Sequence, residues 1–193
     1  DTPWLMYEYV SGGELGTLIG AWQAATPPDR AAKAVAALRT LAAAVGHFHR
    51  LSPPVVHRDL KPANILLGSG ESRVTSDESQ LAAPLVTRHS SLVTPKVADF
   101  GLAKRASGTD LTHTQAIMGT PAYMAPEQAR GAKFAGPPAD VWALGVILYE
   151  CLTGTRPFGG DDVQSILNAV LSTEPVPARK RVPSSRIWRR RVS

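Results

Sequence analysis

An acid, an amine and an amide stand within six residues of one another in the run His57-Arg58-Asp59-Leu60-Lys61-Pro62-Ala63-Asn64. A second acid follows in Asp99-Phe100-Gly101, and Ala125-Pro126-Glu127 comes after it. In that order these are the parts a phosphoryl-transfer site needs: a catalytic loop, a metal-binding turn and the close of an activation segment. The first run fits five fixed positions of the pattern H-R-D-L-x-x-x-N. Chance would supply such a match about once per three million starting points. Two further motifs in the right order leave coincidence a poor explanation.

The elements around these residues must hold them together. Residues 4–10 read as a strand, and Ser11-Gly12-Gly13-Glu14-Leu15 turns out of it into a short helix reaching about Gln23. From Asp29 to Arg50 the apolar residues Ala31, Val35, Leu38, Leu41, Ala42, Val45 and Phe48 recur at helical spacing, with Asp29 as the expected N-cap. Ile65-Leu66-Leu67 and Lys96-Val97-Ala98 read as two short strands of a hairpin. Between them, Gly68 to Pro95 is rich in Ser and Thr without a clear period, and is expected to be a long loop insert. Asp140 to Leu152 reads as a strongly apolar helix flanked by Gly136-Pro137-Pro138 and Gly154. Asp161 to Leu171 reads as another, capped by Asp161 or Asp162. The expected fold class is α+β, mainly helical, with short β-hairpins.

The chain has 193 residues, 44% of them apolar, enough for one domain with a core. Its single cysteine, Cys151, excludes an internal disulfide framework and suits a reducing, cytoplasmic setting. It lies in an apolar helical run, so a buried, inert thiol is expected. The longest apolar stretch, Val141 to Tyr149, is far short of the ~18–20 residues a membrane span needs. The net charge of +5 is unevenly placed: seven of the 21 basic residues lie in residues 175–193, which carry no acid. That leaves 14 basic against 16 acidic residues before them, a balance of −2. The basic tail is read as disordered. A nucleic-acid or membrane-surface arm is the alternative, and no nucleic-acid partner is expected.

With these motifs in place, residues 4–174 resemble the larger, helical lobe of a eukaryotic-type Ser/Thr protein kinase. The stretch Gly119-Thr120-Pro121-Ala122-Tyr123-Met124-Ala125-Pro126-Glu127-Gln128 is similar to that of the bacterial branch. The resemblance implies ATP and Mg²⁺ as cofactors and protein Ser/Thr hydroxyls as acceptors. It implies Asp59 as the base or hydroxyl-orienting carboxylate, and Lys61 as the cation on the γ-phosphate. Asn64 and Asp99 would supply the hard oxygens that magnesium prefers. Glu8 and Val10 match the hinge that binds adenine through its backbone, and Leu66 the apolar floor beneath the base, where core packing is the plainer reading. Glu14 resembles a ribose or basic-substrate contact. Arg58 would pair with a phosphate on Thr112 or Thr114 of the activation segment, which adds about −1.5 to −2 charge. Thr120 would shape the acceptor site next to Asp59 and Lys61. His57, Phe100 and Asp140 look structural, with Asp140 expected to accept backbone N–H bonds from the catalytic loop.

The chain also departs from the pattern. It opens on Asp1 within an apparent strand, and no G-x-G-x-x-G, strand lysine or partner glutamate precedes Tyr7. Residues 1–174 are therefore read as hinge and large lobe without the small lobe. The missing small-lobe segment is an expected partner, and the piece alone is expected to be almost inactive. Past Glu174 the hydrophobic pattern fades, and Glu127 has no evident basic partner. Two other readings compete with a Ser/Thr kinase: a non-catalytic kinase-like binding module, and a basic-tailed nucleic-acid binder.

Overall fold

A computed structural model describes residues 9–25, 29–68, 94–99, 121–131 and 135–182. The elements in chain order are α1 (Leu15–Ala25), α2 (Arg30–His49), a 3₁₀ turn (Pro62–Asn64), β1 (Ile65–Gly68) and β2 (Thr94–Val97). A second 3₁₀ turn (Pro121–Tyr123), α3 (Pro126–Ala129), α4 (Pro137–Thr153), α5 (Val163–Ser172) and α6 (Ala178–Arg181) follow. The described chain is mainly helical with one two-stranded antiparallel sheet. Its register pairs Ile65 with Val97, Leu66 with Lys96, Leu67 with Pro95 and Gly68 with Thr94.

The core forms where three amphipathic helices turn their apolar sides inward. Leu15, Ile19 and Trp22 of α1 recur at three-to-four spacing, as do Ala34, Leu38, Leu41 and Val45 of α2. They meet Ala143, Ile147 and Cys151 of α4, with Leu60, Ile65 and Leu67 closing the cluster under the catalytic run. On another side of α4, Val146 packs with Phe158 and Val170, and the Trp142 ring stacks on Phe158 at a centroid distance of 5.7 Å. α4 thus buries apolar residues in two directions, which explains its nearly uninterrupted apolar sequence. It ends at Gly154, whose φ of 79° is the left-handed conformation that closes helices, with its N–H on Glu150 O at 2.8 Å.

Arg30 is buried in this core without a carboxylate among the described residues. Its Nε donates to Cys151 O at 2.7 Å and its Nη1 to Trp22 O at 3.4 Å. Both acceptors lie in the last turns of their helices, where partial negative charge collects, and neither α1 nor α4 has a basic residue of its own there. Burial holds the guanidinium below its ordinary pKa. The neighbouring Cys151 thiol is pushed up to about 12, chiefly by burial, in keeping with the expected inert cysteine.

Several expectations need correction. Asp29 makes no side-chain cap to α2. Its carboxylate instead pairs with Lys33 one turn on, at 2.9 Å. Ala42 faces solvent, and Ala34 takes the inner position. α4 begins at Pro137 rather than Asp140, because proline is well suited to a first helical turn, where its missing N–H would have no partner anyway. Of the two candidate caps for α5, Asp162 is used, accepting from Ser165 N at 2.7 Å. The strand read at 4–10 and the insert at 68–95 fall mostly outside the described residues.

Candidate active site

Asp59, Lys61 and Asn64 form one hydrogen-bonded group. Lys61 Nζ reaches Asp59 Oδ2 at 3.2 Å. Asn64 Nδ2 donates to Asp59 O at 2.9 Å and lies 3.5 Å from Asp59 Oδ2. Both neighbours of that amide nitrogen are acceptors, so the amide must face them with its NH₂, and among the described residues no hydrogen bond occupies Asn64 Oδ1. The 3₁₀ turn at Pro62–Asn64 produces this closeness. It starts at Lys61, whose backbone is extended, and closes with Asn64 N on Lys61 O at 2.9 Å.

Asp99 arrives from β2. Ala98, just before it, gives its N–H to Asn64 O at 2.8 Å and its carbonyl to His57 Nε2 at 2.9 Å. The sheet therefore delivers Asp99 to the edge of the same loop. Asp99 is exposed with φ of 56°, a left-handed conformation that Asp tolerates better than most residues. No hydrogen bond or ion pair among the described residues occupies its carboxylate. His57 Nδ1 accepts from Asp59 N at 3.2 Å, so the proton sits on Nε2 and goes to Ala98 O. The imidazole thus links the loop of Asp59 to the turn of Asp99.

The loop is fixed from below by α4. Asp140, fully buried, accepts from His57 N at 2.9 Å, Arg58 N at 2.8 Å and His49 Nε2 at 2.8 Å. The two backbone bonds are the ones expected of it. The bond from His49 is an addition, although a polar residue continuing the buried stripe of α2 past Val45 signals a buried partner. Gln128 of α3 is a second residue that the motifs do not single out. Its Nε2 donates to Arg58 O at 2.9 Å and its Oε1 accepts from Ala125 N at 3.1 Å, so it ties Ala125-Pro126-Glu127 to the catalytic run. Arg58 itself is half-buried, with Nε on Ala135 O at 2.9 Å. Nearby, Tyr123 OH donates to Glu150 Oε2 at 2.5 Å, and burial, then that bond, raises the phenol pKa well above its ordinary value.

On the other side of β1, Leu67 N donates to Gly13 O at 2.8 Å, and Glu14 pairs with Leu66 as an antiparallel bridge. Glu14 and Leu66, expected to touch ribose and adenine, are thus adjacent. Val10 is half-buried and precedes this contact. Glu8, Thr112, Thr114 and Thr120 lie outside the described residues, as does Phe100.

The donor set suits magnesium held jointly with phosphate. Magnesium takes one or two protein oxygens and fills the rest of its octahedron with water and phosphate. Asn64 Oδ1 and the Asp99 carboxylate offer that pair, and among the described residues no cluster of three or more His, Cys, Asp or Glu competes for a metal.

Comparison with known proteins agrees with this geometry. Residues 1–190 match the family described as protein kinase domain. The chain is 34% identical to serine/threonine-protein kinase PrkC of Bacillus subtilis over 184 residues, 95% of this chain and 24% of that protein. It is 37% identical to serine/threonine-protein kinase PknL of Mycobacterium tuberculosis over 164 residues, 85% of this chain and 34% of that protein. With serine/threonine-protein kinase PkaA of Streptomyces coelicolor it shares 41% identity over 121 residues, 63% of this chain and 19% of that protein. The chain thus spans about a quarter to a third of the first two relatives.

Proposed function

Because this chain belongs to the protein kinase domain family, we propose that it carries the hinge and large lobe of a Ser/Thr protein kinase that moves the γ-phosphate of ATP to protein hydroxyls. The kinase part runs to residue 174, and residues 175–193 form a basic tail. The observation that carries this reading is the joint placement of Asp59, Lys61 and Asn64 in one hydrogen-bonded loop, with Asp99 delivered to its edge. In the proposed reaction Asp59 orients the acceptor hydroxyl and takes its proton. Lys61, already 3.2 Å from Asp59 Oδ2, is close enough to share its charge with the transferring phosphate. Asn64 and Asp99 would hold Mg²⁺, which would supply positive charge against the developing charge of the transferring phosphate. Thr112 and Thr114 are the proposed phosphorylation sites, with Arg58 as the cation facing them, and Thr120 lines the acceptor site. Glu8, Val10, Leu66 and Glu14 form the adenosine side.

No described helix is long and apolar enough to cross a membrane. The proposed setting is the cytoplasm, where ATP is available. The proposal is tested by γ-phosphate transfer from labelled ATP to a protein acceptor. The chain is assayed with a small lobe carrying G-x-G-x-x-G and its strand lysine joined ahead of Asp1. Transfer is expected, and Asp59→Asn is expected to lower it by ~10²–10⁴, the range a general base supplies. Equal rates for the Asp59→Asn variant and the unmodified chain would overturn the assignment of the base.

A further inference from the structure

The chain entering α1 lies unusually close to β1. A Cβ built on Gly12 would overlap the carbonyl oxygen of Leu67 and stand 2.9 Å from its carbonyl carbon. Both atoms belong to the backbone, so no rotamer change relieves the overlap. One residue on, Leu67 N donates to Gly13 O at 2.8 Å, and Glu14 then bridges to Leu66. Residues 12–14 therefore lie against β1 on the edge opposite β2, tied to it by one backbone hydrogen bond and one isolated bridge. Gly13 serves a separate need: its φ is 76° and nothing lies within 4 Å of where its Cβ would be, so it supplies the turn and not the contact.

We propose that Gly12 is a positioning residue for the adenosine half of the site. Its missing side chain lets the hinge exit rest directly on Leu67 and so fixes Val10 and Glu14 relative to Leu66. This inference rests on the nucleotide site proposed above and adds a specific determinant to it. A methyl at position 12 lifts residues 10–14 off β1, which separates Glu14 from Leu66. The phosphate and metal side has supports of its own: His57 N and Arg58 N bond to Asp140, and Asn64 N closes the 3₁₀ turn on Lys61 O.

The experiment titrates the chain, joined to a small lobe as in the transfer assay above, with adenosine and, separately, with Mg²⁺·tripolyphosphate, following backbone amide shifts by NMR. In the unmodified chain adenosine is expected to move Leu66 and Leu67, and tripolyphosphate to move Asn64 and Asp99. Gly12→Ala is expected to weaken adenosine about tenfold or more and to leave tripolyphosphate unchanged. Gly20→Ala, at a helical site with nothing within 4 Å, should leave both unchanged. If the unmodified chain binds neither ligand, the nucleotide reading fails and this inference with it. If the unmodified chain binds both and Gly12→Ala binds adenosine equally well, or loses both ligands alike, Gly12 has no positioning role while the nucleotide reading stands. Should Gly12→Ala not fold, hydrogen exchange of the Leu67 amide in the unmodified chain decides. Slow exchange, as in a paired strand, supports the contact, and exchange at the rate of an open loop overturns it.

Discussion

Asp140 holds a strained loop in place. Arg58 has φ of 67°, a conformation that non-glycine residues seldom adopt and that costs of order 1–3 kcal/mol unless its surroundings impose it. Asp140 takes the N–H groups of both His57 and Arg58, and Gln128 takes the Arg58 carbonyl, so both peptide units flanking the strained residue are clamped. The strain matters because Asp59 follows directly and inherits its direction from Arg58. Asp140→Ala leaves two buried N–H groups and His49 without their acceptor. Each orphaned donor costs ~1–3 kcal/mol, so a loss of ~3–5 kcal/mol in urea unfolding is expected. Asp140→Asn keeps one acceptor oxygen in the same shape and should lose less. Equal stability of Asp140→Ala and the unmodified chain would show that the loop does not depend on this carboxylate.

The helices divide between those the sequence announces and those decided by distant contacts. α5 is announced. Its cap Asp162 accepts from Ser165 three residues on, and that bond holds the carboxyl below its ordinary value of 3.8. A carboxyl depressed on folding stabilises the fold above its unfolded pKa and ceases to do so as the pH falls through its folded one. The melting-temperature gap between the unmodified chain and Asp162→Ala should therefore be open at pH 6 and close as the pH drops below about 4. A gap that stays constant down to pH 2 would mean the cap acts without its charge. The hairpin and the apolar stripe of α2 are legible for the same reason: Leu38, Leu41 and Val45 obey a local period, and Ile65–Leu67 faces a matching run. Asp59, Lys61 and Asn64 are legible because a contiguous run and one tight turn bring them together. The stripe of α2 shows that His49 has a buried partner, but neither its partner nor that of Gln128 can be named, because these stand 91 and 70 residues away and no local pattern encodes such a meeting. Pro137 and Pro138 read as a flank of α4 because proline stops helices more often than it starts them. At a first turn the physics runs the other way.

Charge is distributed over the molecule in two blocks, and they make separable claims. The sequence pI of about 9.7 comes from residues 175–193, which hold seven of the 21 basic residues and no acid. Residues 1–174 carry two more acids than bases, so the portion with the proposed catalytic loop is mildly acidic. α6 brings Arg179, Lys180 and Arg181 beside the end of α4, where Tyr149 OH donates to Val176 O at 2.8 Å, and all three basic residues stay exposed. They make no ion pair among the described residues, so their charge is available to solvent. A kinase whose chemistry lies in the first block should keep its nucleotide response when the second is removed. A nucleic-acid binder built on the tail should lose its only footing. Truncation after Glu174 is therefore expected to move the chain from retention on a cation exchanger at pH 7 to retention on an anion exchanger. Adenosine and Mg²⁺·tripolyphosphate should still shift Leu66 and Asn64 in the truncated chain. Long-range charge of this kind governs association with polyanions and is screened within about 8 Å at physiological salt. Any binding of the full chain to nucleic acid should accordingly fall steeply with salt and vanish on truncation. Salt-resistant binding that survived the truncation would place a nucleic-acid surface on the helical domain itself and reopen the question of what the domain does.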